Sequence, residues 1–153
     1  MRLTTYTDYT FRTLMYLAVN GDRYATIGEI AAAYRISEAH LMKVVHQLGV
    51  AEIIETVRGR RGGIRLARPA ESINLGAIVR RTEADLALVA CFDNPGSCAI
   101  SDGCRLSKVL QEALAAFLAV LDRYTLADLV IPRQPLAALL GLSGVHPDLV
   151  RRL

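Results

Sequence analysis

The sequence of 153 residues contains no tryptophan, three cysteines and only 6% aromatic residues. No uncharged stretch reaches the ~20 apolar residues that a membrane-spanning helix needs, and the first residues show no signal-peptide pattern. We therefore expect a cytoplasmic protein with no membrane partner. An odd number of cysteines without an export signal argues against a disulfide framework and favours metal binding or thiol chemistry.

The common catalytic motifs are also missing. We find no Ser–His–Asp set, no GxGxxG loop and no HExxH pair. His40 and His46 lie together in one predicted helix and His146 lies in the C-terminal part, so no histidine is near a cysteine in sequence. We expect no enzymatic activity.

The chain has enough apolar residues for a buried core, because 52% of its residues are hydrophobic and 22% are charged. Its net charge of +3 is unevenly spread. Five arginines fall within eleven residues with no acid among them: Arg58, Arg60, Arg61, Arg65 and Arg68. Such a basic stripe favours a polyanion partner, nucleic acid first, although a solvated basic turn is the alternative.

Hydrophobic periodicity predicts three helices in the N-terminal third, over 7–20, 27–34 and 38–47. The predicted N-caps are Thr7, Thr26 and Ser37, and Gly49 is expected to end the third helix. The last two helices flank a three-residue turn, which is the pattern of a helix-turn-helix. The third helix then presents outward residues that can hydrogen-bond bases or phosphates: Ser37, His40, Lys43 and Gln47. The alternative is an ordinary helical cluster with a polar face.

A β-hairpin is predicted next, with strands at 53–57 and 64–67 around a glycine-rich turn, followed by a helix that ends near residue 82. A helix-turn-helix followed by a hairpin is the layout of a winged helix. Arg58, Arg60 and Arg61 would lie at the wing tip, where they reach phosphates or the minor groove. The expected fold is mainly α with a small β-hairpin wing, and residues 1–82 form the expected DNA-binding domain.

Cys91, Cys98 and Cys104 have the spacing C-x6-C-x5-C in the region 83–104, where Pro95 and two glycines break a regular helix. Three thiolates in such a segment suit an iron–sulphur cluster, or zinc with one ligand from elsewhere. The spacing does not separate zinc from iron. Three free thiols, or one disulfide and a spare thiol, are the alternatives.

A long helix is predicted from about residue 104 to 124, within a dimerisation region assigned to 105–131. It carries a heptad seam: Leu106, Leu110, Ala113, Phe117, Val120 and Tyr124. A second apolar row, Leu114, Leu118 and Leu121, runs beside it. Because a domain this small has little else to cover both rows, we expect a homodimer formed through this helix. The tail, 132–153, is expected to hold a short helix at 136–140.

Residues 1 to about 130 resemble the Rrf2 family of winged-helix iron–sulphur regulators. The resemblance rests on Thr7-Asp8-Tyr9, Ile27–Ala31, the wing Val57–Ala67, the three cysteines and Thr125–Leu129. It implies a homodimeric repressor with one 4Fe–4S cluster per subunit, held by Cys91, Cys98 and Cys104. It also implies Asp8 of the partner subunit as the fourth ligand, with Arg12 supporting that carboxylate. Without the resemblance, Asp8 is a helix N-terminal acid paired with Arg12.

Within that family the chain is most similar to the nitric-oxide-sensing repressors. This likeness implies a palindromic DNA operator that is released when nitric oxide nitrosylates the cluster. Relatives with a 2Fe–2S centre have a histidine where this chain has Ser107, so a 2Fe–2S cluster is expected only as a less favoured or degraded form. An iron- or redox-responsive regulator of the same family, or a zinc or thiol regulator without a cluster, stays open.

Overall fold

The fold consists of eight α-helices and one two-stranded hairpin in the described part of the chain. A computed structural model describes residues 2–59, 62–94, 96 and 98–142. The helices are α1 (Thr5–Asn20), α2 (Ile27–Tyr34), α3 (Glu38–Val50), α4 (Leu75–Thr82), α5 (Ala90–Asp93), α6 (Arg105–Leu121), α7 (Leu126–Leu129) and α8 (Arg133–Leu139). Strands β1 (Ile54–Val57) and β2 (Gly63–Leu66) form the hairpin, so the predicted fold class is confirmed.

Helix α1 is the central element of the core and packs against α3, α4, α7, α8 and β2. Helical spacing predicts Leu14, Leu17 and Ala18 on its inward face, and the two leucines are buried while Ala18 is half-buried. The same spacing predicts four inward residues in α3, and all four are buried, namely Leu41, Val44, Val45 and Leu48. Helical periodicity therefore identified the faces that meet in the core.

The prediction that Thr7 caps α1 was wrong. Thr4 is the N-cap, and its hydroxyl accepts a hydrogen bond of 3.2 Å from the amide of Thr7. Thr7 itself is fully buried, with its hydroxyl 2.8 Å from that of Thr82 and hydrogen-bonded to the carboxylate of Glu83. Glu83 also accepts from the amide of Thr4 at 2.8 Å. The start of α1 is thus fixed to the end of α4.

Helices α2 and α3 form the predicted helix-turn-helix. Thr26 and Glu29 make a reciprocal capping box at the start of α2. Ser37 occupies the N-cap position of α3, but its side chain makes no capping hydrogen bond. The expectation that Gly49 ends α3 was wrong, because the helix continues to Val50. Burial of Leu48 in the core outweighs the helix-propensity cost of one glycine, about 1 kcal/mol.

The wing is a short antiparallel hairpin in which Ile54 pairs with Leu66 and Val57 with Gly63. Ala25 also bridges to Ile64, so the hairpin is anchored to the segment between α1 and α2. Gly59 begins the turn with a φ of 113°, a conformation that side-chain-bearing residues rarely adopt. Strand β1 is one residue shorter than predicted because it begins at Ile54, and β2 keeps the predicted length but is shifted by one residue toward the turn.

The C-terminal half departs more from the prediction. The cysteine segment was expected to be an irregular loop, yet it contains the helical turn α5 and a 3-10 turn at Ser101–Gly103. Helix α6 ends at Leu121 and not at Tyr124, and α8 begins three residues earlier than predicted, directly after Pro132. In the described chain, no helix combines the length and apolar character needed to cross a membrane.

We expect Thr26→Ala to lower the free energy of unfolding by about 1 kcal/mol, because it removes the side-chain cap of α2. Ser37→Ala is the matched control, since the Ser37 side chain caps nothing in α3. Its unfolding free energy should stay within about 0.5 kcal/mol of the wild type. Urea denaturation followed by circular dichroism compares the two variants, and equal losses would contradict this assignment of the caps.

Candidate nucleic-acid interface and metal centre

The outer face of α3 carries the residues predicted to contact DNA. Ser37, His40, Lys43 and Gln47 are all exposed, and helical spacing places them on one side of α3. The opposite side of α3 is buried, so these side chains point away from the protein core. This arrangement suits insertion of α3 into a major groove, with the N-terminal residues nearest the bases.

Two features at the edge of this face were missed by sequence analysis. Tyr9 of α1 lies beside His40, with ring centroids 6.1 Å apart, so α1 borders the α3 surface. Met42 is 55% exposed on the same helix. Neither has a sequence signal, because an apolar side chain at a helix edge has the pattern of a core residue.

The wing contributes Arg58, which is exposed at the end of β1. Arg60 and Arg61, the other two residues predicted for the wing tip, lie outside the described residues. Of the three arginines predicted for the wing tip, Arg58 is therefore the one whose position the described residues show. An exposed arginine at this position can reach a phosphate or enter the minor groove.

Arg65 does not extend the basic stripe freely, because it pairs within the wing. Its Nε donates to Glu55 Oε1 at 2.5 Å, and the hydroxyl of Tyr24 donates to the same oxygen at 2.9 Å. The Arg65 guanidinium also lies 4.8 Å from the Tyr24 ring centroid. Hydrogen bonds from Arg65 and then Tyr24 hold the pKa of Glu55 below its usual range. The cluster therefore stiffens the base of the wing.

The cysteine segment presents three free thiols. Cys91 and Cys104 are half-buried and Cys98 is exposed. Within the described residues of this single chain, no three His, Cys, Asp or Glu side chains converge as a metal site. The set of donors nevertheless fits an iron–sulphur cluster chemically, because thiolates are the ligands that such clusters use.

Asp8 lies in the first turns of α1, where Arg12 engages it with two contacts. Arg12 Nη2 is 2.9 Å from Asp8 Oδ2, and Nε donates to Oδ1 at 3.1 Å. Both side chains remain partly exposed, 40% for Arg12 and 46% for Asp8. The predicted pairing of these residues is present, and the Asp8 carboxylate stays accessible from outside the chain.

The Arg12 guanidinium also packs over two tyrosine rings, 6.0 Å from the centroid of Tyr9 and 5.8 Å from that of Tyr34. Burial raises the pKa of Tyr34 to about 12, so its phenol stays neutral at physiological pH. Arg12 is therefore held between one carboxylate and two tyrosine rings.

A comparison with known proteins connects these features. Residues 3–132 match the Rrf2 family, described as an iron-dependent transcriptional regulator. The chain belongs to the Rrf2 family. It is 51% identical over 145 residues to the HTH-type transcriptional regulator NsrR of Bacillus subtilis, covering 94% of this chain and 99% of that protein. A protein of the same description from Oceanobacillus iheyensis is 47% identical over 147 residues, 95% of this chain and 100% of the relative.

Solved structures agree with the Rrf2 assignment. The structure of CymR, the global cysteine regulator of Bacillus subtilis, matches with a TM-score of 0.69 and 25% identity, covering 84% of this chain and 95% of that one. The 153-residue protein, as a member of this family, is therefore a DNA-binding transcriptional regulator and not an enzyme. The winged helix and the absence of catalysis, both predicted from the sequence, are confirmed.

We expect Arg58→Ala to weaken DNA binding by about tenfold. We also expect it to reduce the slope of log Kd against the logarithm of the salt concentration by about one. Both follow because one phosphate contact and its released counterion are lost. Arg123→Ala, which removes an exposed arginine far along the chain from the wing, is the control. Fluorescence anisotropy over a salt series measures both quantities, and an unchanged salt slope would exclude a phosphate contact by Arg58.

Proposed function

We propose that this Rrf2 protein is a homodimeric repressor in the cytoplasm that binds a palindromic operator and releases it on exposure to nitric oxide. In this proposal a 4Fe–4S cluster is held by Cys91, Cys98, Cys104 and Asp8 of the partner subunit, supported by Arg12. The observation that carries the proposal is the presence of three free thiols within fourteen residues, directly between the winged helix and α6. The likeness to relatives described as NsrR points the same way.

The DNA-binding part of the proposal is assigned to residues 1–82. Ser37, His40, Lys43 and Gln47 would contact the bases and phosphates of one major groove, and Arg58, Arg60 and Arg61 the neighbouring backbone or minor groove. Two copies reading a palindrome need recognition helices about 34–36 Å apart. This spacing makes operator affinity sensitive to small rotations between subunits.

The dimer is assigned to α6, within the region 105–131. None of the seventeen residues of α6 is buried, although the helix is largely apolar. Leu106 is 62% exposed and Val109 is 60% exposed. A contiguous exposed apolar surface of this kind marks an interface, and a second copy of α6 would cover it. The C-terminal tail, 132–153, is assigned to neither the dimer interface nor the cluster.

The region 83–104 is assigned to the cluster. Thiolates are soft ligands that bind iron firmly, whereas a carboxylate is a harder and weaker partner. When bound, the cluster would supply iron to which a small diatomic molecule can attach. Asp8 would be the ligand that reaches the cluster of the partner subunit, and Arg12 of the same chain would support its carboxylate. Because α1 contacts α3 through Tyr9 and His40, the state of Asp8 would influence the DNA-reading surface.

A second candidate is an iron-responsive regulator built on the same residues. The description of the Rrf2 family as iron-dependent favours it. In that case the loss of iron, and not exposure to nitric oxide, would change operator affinity.

The direct test uses protein purified without oxygen and the inverted-repeat duplex that it selects from a random DNA pool. We expect bound iron and acid-labile sulphide, and a fall in duplex affinity of at least about tenfold when nitric oxide is added. Cys98→Ser should abolish the response, whereas Ser107→Ala should keep it. Binding that ignores nitric oxide but follows iron supply would favour the iron-responsive regulator instead.

The origin of the fourth ligand is tested with heterodimers that combine an Asp8→Ala subunit and a Cys91→Ser subunit. If Asp8 acts across the dimer, one of the two sites in this heterodimer has its full ligand set. About half of the wild-type iron should then resist removal by a chelator, while both variant homodimers lose iron quickly. A heterodimer that loses iron as fast as the homodimers would place Asp8 in its own subunit or outside the site.

A further inference from the structure

Helix α4 is the last helix of the DNA-binding domain and contacts the apolar helix α6. An ion pair joins α4 to Asp122, the residue directly after α6. Arg80 Nη1 is 2.6 Å from Asp122 Oδ1, and Arg80 Nη2 is 2.6 Å from Asp122 Oδ2. This two-pronged contact fixes both the distance and the orientation of the partners. It lowers the pKa of Asp122, so the carboxylate stays ionised.

The backbone around this pair is joined as well. The amide nitrogen of the Asn74 side chain donates to the carbonyl of Asp122 at 2.8 Å. The backbone amide of Leu75 donates to the carbonyl of Tyr124 at 3.0 Å, and that of Leu126 to the carbonyl of Ile73 at 2.8 Å. The segment before α4 and the segment after α6 therefore pair like two short antiparallel strands.

Gly76 shows how closely the two segments approach. A methyl group added at its Cα would overlap the carboxylate of Asp122. Gly76 is itself buried in the first turn of α4. The Asp122 carboxylate therefore occupies space that any side chain at position 76 would fill.

The other end of α4 is fixed to α1. The Thr82 hydroxyl lies 2.8 Å from that of buried Thr7, and Glu83 accepts hydrogen bonds from Thr4 and Thr7. Helix α1 in turn packs on α3. Helix α4 is therefore joined to the end of α6 through Arg80 and through the residues at its own start. Its C-terminal end is joined to α1, the helix that supports the recognition surface.

We propose that Arg80 and Asp122 are positioning residues that set the separation of the two DNA-reading surfaces. This inference rests on the proposed function, in which α6 forms the dimer. A rotation of the DNA-binding domain about α6 would move both recognition helices away from the 34–36 Å that successive major grooves require. The rigid two-pronged pair resists that rotation, while a single flexible contact would not.

The pair should matter little for stability, since its side chains are 43% and 40% exposed and such pairs contribute weakly to folding. This separates a positioning role from a structural one. In Arg80→Lys the charge remains but the planar fork is lost. In Asp122→Asn the shape remains but the charge is lost. Both variants should melt within about 3 °C of the wild type.

The decisive measurement is operator affinity as a function of half-site spacing. The probes are the inverted repeat selected by the wild type, versions with one or two base pairs added or removed at its centre, and a duplex with a single half-site. We expect both variants to bind the selected repeat about tenfold more weakly and to lose the sharp preference for its spacing. Their affinity for the single half-site should equal that of the wild type.

Two controls complete the design. Arg123→Ala removes a neighbouring exposed arginine and should keep the wild-type spacing profile. The exchange variant with Arg80→Asp and Asp122→Arg should regain part of the preference. An unchanged spacing profile in both single variants, or an equal loss on the single half-site, would overturn the positioning role. A wild type that binds the half-site as tightly as the repeat would instead overturn the proposed dimeric reading.

Discussion

The burial of α1 is the constraint on which the rest of the structure depends. One side of this helix supports α3, its first turn is fixed to the end of α4, and its last turn accepts hydrogen bonds from Arg133 of α8 through the carbonyl of Val19. Asp8 is at the same time on its partly exposed side. A helix held at both ends cannot tilt without disturbing its neighbours. A change in the contacts of Asp8 would therefore also alter the position of the recognition surface on α3.

Sequence reasoning succeeded where local rules decide the structure. Helical periodicity located α1, α2 and α3, and the capping box of Thr26 and Glu29 marked the start of α2. It failed where a tertiary contact overrides the local rule. Threonine is a common N-cap residue, but the hydroxyl of Thr7 is buried and hydrogen-bonds to Thr82 and Glu83. Thr4 caps the helix in its place. Gly49 stays helical because its neighbour Leu48 is buried.

The candidate site likewise has parts that sequence patterns could predict and parts that they could not. The exposure of Ser37, His40, Lys43 and Gln47 follows from helical spacing, so it could be predicted. The Tyr24–Glu55–Arg65 cluster at the wing base could not, because the register that pairs Glu55 with Arg65 is set by the turn. Three thiols could be recognised as one set of donors. In the proposed dimer their convergence with Asp8 would depend on a second subunit, which the pattern of a single chain does not describe.

In the proposed dimer the first turns of α1, which carry Asp8, would link the cysteine segment to α3. Hydrogen–deuterium exchange on anaerobic protein, with and without nitric oxide, tests that link most directly. We predict that exchange rises in the cysteine segment, in the first turns of α1 and at the start of α3 together. A rise confined to residues 83–104, with α1 and α3 unchanged while DNA is released, would contradict the account.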